Sequence, residues 1–253
     1  MRAVLAIAWR EVRSFFVSPA AYVVIFVFLA ISTGMFVYLT LDHVASMGMQ
    51  MVQGGRRSVT DGIIRPFIAQ GLRSALWLVI PLISMRLLSE DRKQGTSDLL
   101  LTSPITTLQL VLGKYLGALT VMTIMMLMTV HIPLTLAFRS RVEGGVIFAG
   151  YLGVYLTGAM FLSAGTFASA LTENQIVAAL LAFAIIFGLV ISGILAESST
   201  RYLGGMFAPF SLRLNLQDFI AGIVDSSGLV YFLSMTGFFI FLTQRSIDSQ
   251  RWR

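Results

Sequence analysis

A stretch of 25 residues without a single charged side chain, residues 17–41, constrains the fold of this chain more than any other feature. A helix needs about 20 mostly apolar residues to cross the hydrocarbon core of a bilayer. Such a helix pairs its own backbone polar groups, which lipid cannot do. The stretch therefore predicts a membrane-spanning helix, and we expect the rest of the chain to fold in a bilayer as well.

The composition of the whole chain favours the same environment. Of 253 residues, 57% are hydrophobic and 12% are charged, whereas about 25% of the residues of a soluble globular domain are charged. The sequence predicts an all-α polytopic membrane protein with six transmembrane helices in a single domain, residues 1–253. The predicted spans are residues 17–41, 66–88, 113–138, 146–170, 176–196 and 226–243.

The distribution of lysine and arginine predicts the orientation of the spans. With both termini in the cytoplasm, ten of the 18 Lys and Arg residues lie on the inner side and seven on the outer side, with Arg73 unassigned. Positive residues concentrate on the cytoplasmic side of membrane proteins. We therefore expect a multi-pass protein of the bacterial inner membrane with cytoplasmic N- and C-termini. The net charge of +6 fits contact with anionic lipid better than a nucleic-acid partner.

The first 16 residues are amphipathic and do not look like a cleaved signal peptide. Arg10, Glu11 and Arg13 interrupt the apolar run that a signal peptide requires. The apolar residues of this segment fall near one helical face, with Trp9 at a position suited to the headgroup level. A helix in the membrane interface is favoured, and a frayed N-terminus is the alternative.

The segment 89–112 is polar, broken by glycine, and lies between two predicted spans. Ser89 is a suitable N-cap for a short helix that carries Glu90 in its first turn. Ser103 is a suitable cap for a second helix that begins at Pro104 and continues into the third span. These features fit either a loop that rests on lipid headgroups or a docking element for a soluble partner.

This segment resembles the region between the second and third spans of ABC-2 type export permeases. The resemblance rests on an ordered set of acidic, glycine, leucine and proline positions and covers about 25 residues: Glu90, Gly95, Thr96, Asp98, Leu99, Leu100, Leu101, Ser103, Pro104, Gly113 and Lys114. It implies that the segment is a coupling helix that sits on an ABC ATPase subunit. It also implies two ATPase copies and a second permease chain, which forms a homodimer or a heterodimer with the first.

The same resemblance gives roles to two other parts of the chain. The polar turn Glu173–Asn174 would form a second, smaller contact with the ATPase, although a polar turn on the cytoplasmic side needs no special explanation. Residues 197–228 would form short extracytoplasmic re-entrant helices between spans five and six, or else a simple interfacial cap.

The C-terminal part resembles a narrower branch, the gliding-motility-associated ABC permeases. The matching positions are Pro209, Phe219, Gly222, Asp225, residues 230–234 and residues 242–246. The sequence departs from that branch at Asn215, Gln217 and Ala221, which puts a shared substrate in doubt. The branch implies a membrane-anchored partner with a large extracytoplasmic domain.

Several kinds of chemistry are excluded or disfavoured by the sequence. The chain has no G-x-x-x-x-G-K-[ST] phosphate loop, so ATP and magnesium are expected on a separate ATPase and no cofactor on this chain. It has no cysteine and two histidines far apart, which disfavours a metal site. His131 is expected to be buried and to bond the backbone carbonyl that Pro133 leaves without a partner, rather than to bind substrate or carry protons.

Three functions remain in view. The leading one is the transmembrane subunit of an ABC exporter, which is not itself an enzyme. The second is a membrane anchor or mechanical subunit of an ATPase-driven envelope or motility machine. The third, an intramembrane enzyme, is disfavoured because the sequence shows no paired acid and base or activated nucleophile. The substrate is left open, and an uncharged pathway would suit lipids, lipid-linked glycans or amphipathic drugs alike.

Overall fold

The computed structural model describes residues 2–52, 58–93, 106–138, 142–198 and 211–250, and every element in those ranges is helical. Two π-helical turns, Thr60–Ile64 and Phe67–Leu72, precede the third α-helix. The α-helices are α1 (Arg2–Val17), α2 (Pro19–Val52), α3 (Arg73–Ser84), α4 (Ser89–Lys93), α5 (Thr107–Thr129), α6 (His131–Ala137), α7 (Gly144–Leu171), α8 (Gln175–Ser198), α9 (Leu212–Ala221) and α10 (Ser226–Gln250).

Six helical stretches are long and apolar enough to cross a membrane. They are Pro19–Ser46, Thr60–Lys93, Thr107–Ala137, Gly144–Leu171, Gln175–Gly193 and Ser226–Ser249. The prediction of an all-α protein with six spans is confirmed at this level. The position of each span in the bilayer stays a prediction.

Helix α7 is the centre of the bundle because its glycines let other helices approach closely. A β-carbon at Gly165 would lie 2.2 Å from the Ser84 hydroxyl oxygen of α3, and one at Gly158 would lie 2.7 Å from the Met122 sulfur of α5. Small residues allow such contacts between membrane helices. The spacing of glycines in this segment therefore reflects packing against several neighbours at once.

The second span opens with π-helical turns that accommodate a histidine from the first span. His43 of α2 is buried, and a β-carbon at Gly62 would lie 2.1 Å from its Nδ1 atom. Only glycine leaves room for the imidazole there. The widened helix and the missing side chain together fix how the first two spans meet.

Helix α1 packs along the beginning of α5. β-carbons at Gly113 and Gly117 would lie 2.7 Å from the side chains of Ile7 and Glu11, respectively. The opposite face of α1 is exposed and mixed in character, with Trp9 70% exposed beside Arg10 and Arg13. The helix itself is present over residues 2–17, and its place in the membrane interface stays a prediction.

The third span is interrupted at Val130, between α5 and α6, and the prediction for His131 is wrong. His131 is exposed, and its Nδ1 atom lies 2.6 Å from the carbonyl oxygen of Met128. The carbonyl that Pro133 frees is that of Thr129, four residues earlier. It accepts a hydrogen bond of 3.1 Å from the Tyr151 hydroxyl of α7.

The start of α5 also differs from the prediction. Thr106, with extended backbone, caps the helix, and its side chain and that of Gln109 form a reciprocal capping box. The helix therefore starts at Thr107, and the helix predicted from Pro104 does not run unbroken into the third span. The capping box satisfies two backbone N–H groups at once, which a Ser103 cap with Pro104 would not.

Helix α9 lies between spans five and six and packs on the centre of the bundle. Ser211 caps its first turn, and Gly222 ends it in a left-handed conformation with φ of 95° that favours glycine. The Phe219 Cβ atom would be 2.6 Å from a β-carbon at Gly153 of α7. The segment is thus held against the bundle, and its depth in the bilayer stays a prediction.

Candidate functional site

The base of the bundle is organised around one buried cation, Lys114 of α5, which is 1% exposed. Its Nζ atom lies 2.8 Å from Glu11 Oε1 on α1 and 2.7 Å from Asp91 Oδ2 on α4. It also donates to the carbonyl oxygen of Leu87, just after α3. Because a buried charge is stable only when it is paired and hydrogen-bonded, Lys114 ties four parts of the chain together.

The junction between span two and α4 is held by a serine from α7. The Ser169 hydroxyl accepts hydrogen bonds from the backbone N–H groups of Leu88, at 3.0 Å, and Ser89, at 3.1 Å. It donates to the Met85 carbonyl oxygen at 3.1 Å. These are the free groups that a cap must satisfy where one helix ends and another begins.

The prediction that Ser89 caps α4 is therefore wrong. Ser89 is the first residue of the helix, and its hydroxyl donates back to the Met85 carbonyl oxygen. The capping oxygen comes from a residue 80 positions later in the chain. We refer to the joined base formed by Glu11, Leu87, Asp91, Lys114 and Ser169 as the basal network.

Glu90 lies at the edge of the basal network with its side chain 41% exposed. Its Oε2 atom is 3.9 Å from Arg86 Nε. Arg86 also donates to the Ser18 hydroxyl at 3.1 Å and stacks over the Phe15 ring, 5.6 Å from its centroid. Arg86 thus connects Glu90, the carboxylate predicted to contact the ATPase, to Ser18 at the junction between α1 and α2.

The turn between α7 and α8 lies beside α4. The carboxylate of Glu173 attracts the charge of Arg92, the fourth residue of α4. Asn174 has a local role, because its side-chain oxygen accepts the Ile176 N–H at 2.9 Å and caps α8. The structure therefore places Glu90, Glu173 and Asn174 at the same end of the bundle.

The other predicted coupling residues lie outside the described residues. They are Gly95, Thr96, Asp98, Leu99, Leu100, Leu101 and Pro104, all within the range 94–105. Described residues stand on both sides of this range, α4 before it and α5 after it. Each of these two helices contributes a residue to the basal network, Asp91 from α4 and Lys114 from α5.

Sequence reasoning missed the basal network almost entirely. Lys114 entered only as one position of the resemblance, and Glu11 only as evidence against a signal peptide. Within the described parts of the chain, no group of three or more His, Cys, Asp or Glu side chains could hold a metal ion. The basal network itself consists of ion pairs and a helix cap.

The comparisons with known proteins point to one family. The family model described as ABC-2 family transporter protein matches residues 5–245. A search of the curated proteins finds no match. The matching model is that of the family in general, so the narrower resemblance to gliding-motility permeases stays a prediction.

Proposed function

Because the chain belongs to the ABC-2 transporter family, we propose that it is the permease subunit of an ABC exporter. In this role it couples ATP hydrolysis on a separate ATPase subunit to the movement of a substrate across the bacterial inner membrane. The family is a family of multi-pass membrane components that partner with an ABC ATPase. The observation that carries the proposal is the match over residues 5–245 together with six helices able to span a membrane.

The basal network supports a specific route for the coupling. The ATPase contacts the coupling segment 89–112 and the Glu173–Asn174 turn, with Glu90 at the exposed edge. A displacement of α4 is passed to α1 and α5 through Lys114 and to α7 through Ser169. Since rigid, connected elements carry coupling between sites, spans two, three and four move together with α1.

The driving force for the conformational change of the permease comes from differential binding of the ATPase to its two states. ATP shifts the permease between two states only if the ATPase contacts differ in free energy between those states. Two ATPase subunits with bound ATP and magnesium serve two permease chains. This chain supplies the contact surface and the pathway, and both of its termini lie in the cytoplasm.

The first experiment isolates the complex and asks which residues hold it together. The tagged chain is purified from its native membrane in mild detergent, and a stoichiometric ATPase with a G-x-x-x-x-G-K-[ST] motif is expected to accompany it. Leu99→Asp or Asp98→Lys is expected to release the ATPase. Leu5→Ala, which changes an exposed leucine of α1, is the matched control and is expected to retain it.

Other outcomes would redirect the assignment. Absence of any ATPase under several gentle conditions would overturn the permease proposal. A bound ATPase whose hydrolysis no substrate extract stimulates in proteoliposomes would favour a mechanical anchor. A stoichiometric partner with an extracytoplasmic domain would support the gliding-motility-like branch.

A further inference from the structure

A cavity of about 570 Å³ lies between the start of α3, α8 and α9. Its polar lining consists of Gln70 and Arg73 from the second span and Arg213 and Gln217 from α9. Val190 of α8 and Ile220 of α9 give it an apolar wall. A volume of this size is within the range of small-molecule sites, about 300–1,000 Å³.

The cavity concentrates positive charge. Arg73 is half-buried at the first position of α3, inside the candidate span Thr60–Lys93, and its charge and that of Arg213 repel each other. Among the residues that the structure describes, no acidic side chain forms an ion pair with Arg73. A cation within a membrane span is expensive and usually marks a functional position.

Arg213 contributes a second guanidinium group to the same lining. It is the second residue of α9, in the first turn of the helix. The unpaired N–H groups of a helix N-terminus carry a partial positive charge, which disfavours a cation there. Three sources of positive potential therefore converge on the same space: Arg73, Arg213 and the beginning of α9.

We propose that this cavity binds a phosphate-type oxyanion through Arg73 and Arg213, and that the oxyanion is the headgroup of an amphiphilic molecule. Guanidinium groups match the oxygens of phosphate in a bidentate arrangement. The amides of Gln70 and Gln217 supply further N–H donors, and the wall at Val190 and Ile220 contacts the apolar part of the ligand.

A second cavity of the bundle has a different lining. That cavity, about 490 Å³ between α5, α6 and α7, is lined by apolar residues such as Leu134 and Phe148 and by Tyr151. None of its lining residues is charged. The first cavity differs from it by the guanidinium groups of Arg73 and Arg213 in its lining.

The inference names the headgroup chemistry of the permease's ligand and so rests on the proposed function, but its test needs no ATPase. The chain is purified in an uncharged detergent, and binding is measured by calorimetry with three probes. Dihexanoyl phosphatidic acid carries headgroup and chains, inorganic phosphate carries the oxyanion alone, and dihexanoylglycerol carries the chains alone. Because no ATPase is present, failure here would leave the permease assignment intact.

Phosphatidic acid is expected to bind, and Arg73→Gln and Arg213→Gln are each expected to weaken it by about tenfold or more. Arg73→Lys keeps the positive charge but loses the bidentate geometry of the guanidinium group, and it is expected to weaken binding less than Arg73→Gln does. Arg13→Gln removes an exposed arginine of α1 outside the cavity and is expected to have none. If Arg73→Gln does not fold, Arg213→Gln carries the test, because Arg213 lies exposed on the surface of α9.

The probes separate the sources of the oxyanion. Binding of phosphatidic acid that far exceeds that of inorganic phosphate supports an amphiphilic ligand. Equal binding of the two, lost in both arginine variants, supports an oxyanion site and overturns the amphiphile. Binding of dihexanoylglycerol as tight as that of phosphatidic acid, binding indifferent to both variants, or no binding at all would overturn the site.

Discussion

The basal network and the cavity lined by Arg73 and Arg213 differ in the groups that surround their positive charges. At the base, the Lys114 cation lies within 2.8 Å of two carboxylates, Glu11 and Asp91. In the cavity, Arg73 faces a second cation, Arg213. The paired lysine joins elements of the chain to one another, whereas the two arginines offer guanidinium groups for the oxyanion proposed above. The proposals for coupling and for ligand binding rest on this difference.

Removing each cation is the most direct way to break this comparison. Lys114→Met keeps most of the length of the side chain but removes the cation shared by two largely buried carboxylates, and we expect a loss of about 3–5 kcal/mol of stability. Arg73→Met removes one of two repelling charges, and its effect is expected to stay below about 1 kcal/mol. Thermal unfolding in detergent measures both.

The control for Lys114→Met is Lys93→Met, which changes an exposed lysine at the end of α4. It is expected to leave the melting temperature within the experimental error. Equal destabilisation by Lys114→Met and Lys93→Met would show that the basal network adds nothing to the fold.

A double-mutant cycle sharpens the description of the base. Glu11 and Lys114 are 103 positions apart in sequence and meet only in the folded chain. We expect Glu11→Gln and Lys114→Met to be non-additive, with a coupling energy of about 1–3 kcal/mol. The cycle is measured by thermal unfolding of the two single variants and the double variant, and strictly additive effects would contradict the ion pair.

The sequence predicted the helices far better than it predicted these sites. Membrane spans can be predicted from the sequence because about 20 consecutive apolar residues have few alternatives to crossing a bilayer. The partner of Lys114 cannot be predicted from the sequence. The ion pair between α1 and α5 depends on how closely α1 packs against Gly113 and Gly117 of α5. Nothing in the local pattern around Glu11 distinguishes it from a solvated charge.

Two of the wrong predictions had a signal that could have corrected them. Thr106 and Gln109 have the spacing of a capping box, and that spacing competes with the Ser103–Pro104 signal. The rule that proline frees the carbonyl four residues before it points to Thr129. Its donor, Tyr151, comes from another helix and follows only from the packed bundle.

The cap at the base gives a third, smaller prediction. Ser169→Ala removes an acceptor shared by two backbone N–H groups at the start of α4, and we expect a loss of about 1–2 kcal/mol. Ser163→Ala is the matched control, since Ser163 is equally buried on α7 but donates only within its own helix, to Met160. Thermal unfolding of the two variants should separate them, and equal effects would mean that the contact to α4 is dispensable.

The smallest expected effect on stability comes from adding a carboxylate to the cavity, so that its arginines gain an acidic neighbour as Lys114 has at the base. Gln217→Glu introduces a carboxylate beside Arg73 and Arg213, which line the same cavity. Because a partly exposed ion pair contributes little, we expect a gain in stability of about 0–1 kcal/mol. Binding of phosphatidic acid should fall much more, since the new carboxylate occupies the guanidinium groups and repels the ligand. Asp218→Glu preserves charge on the neighbouring residue of α9 and should leave both quantities unchanged. If Gln217→Glu lowered stability while anion binding stayed intact, Arg73 and Arg213 would not act together on the anion. The contrast between the paired lysine of the base and the two arginines of the cavity would then fail.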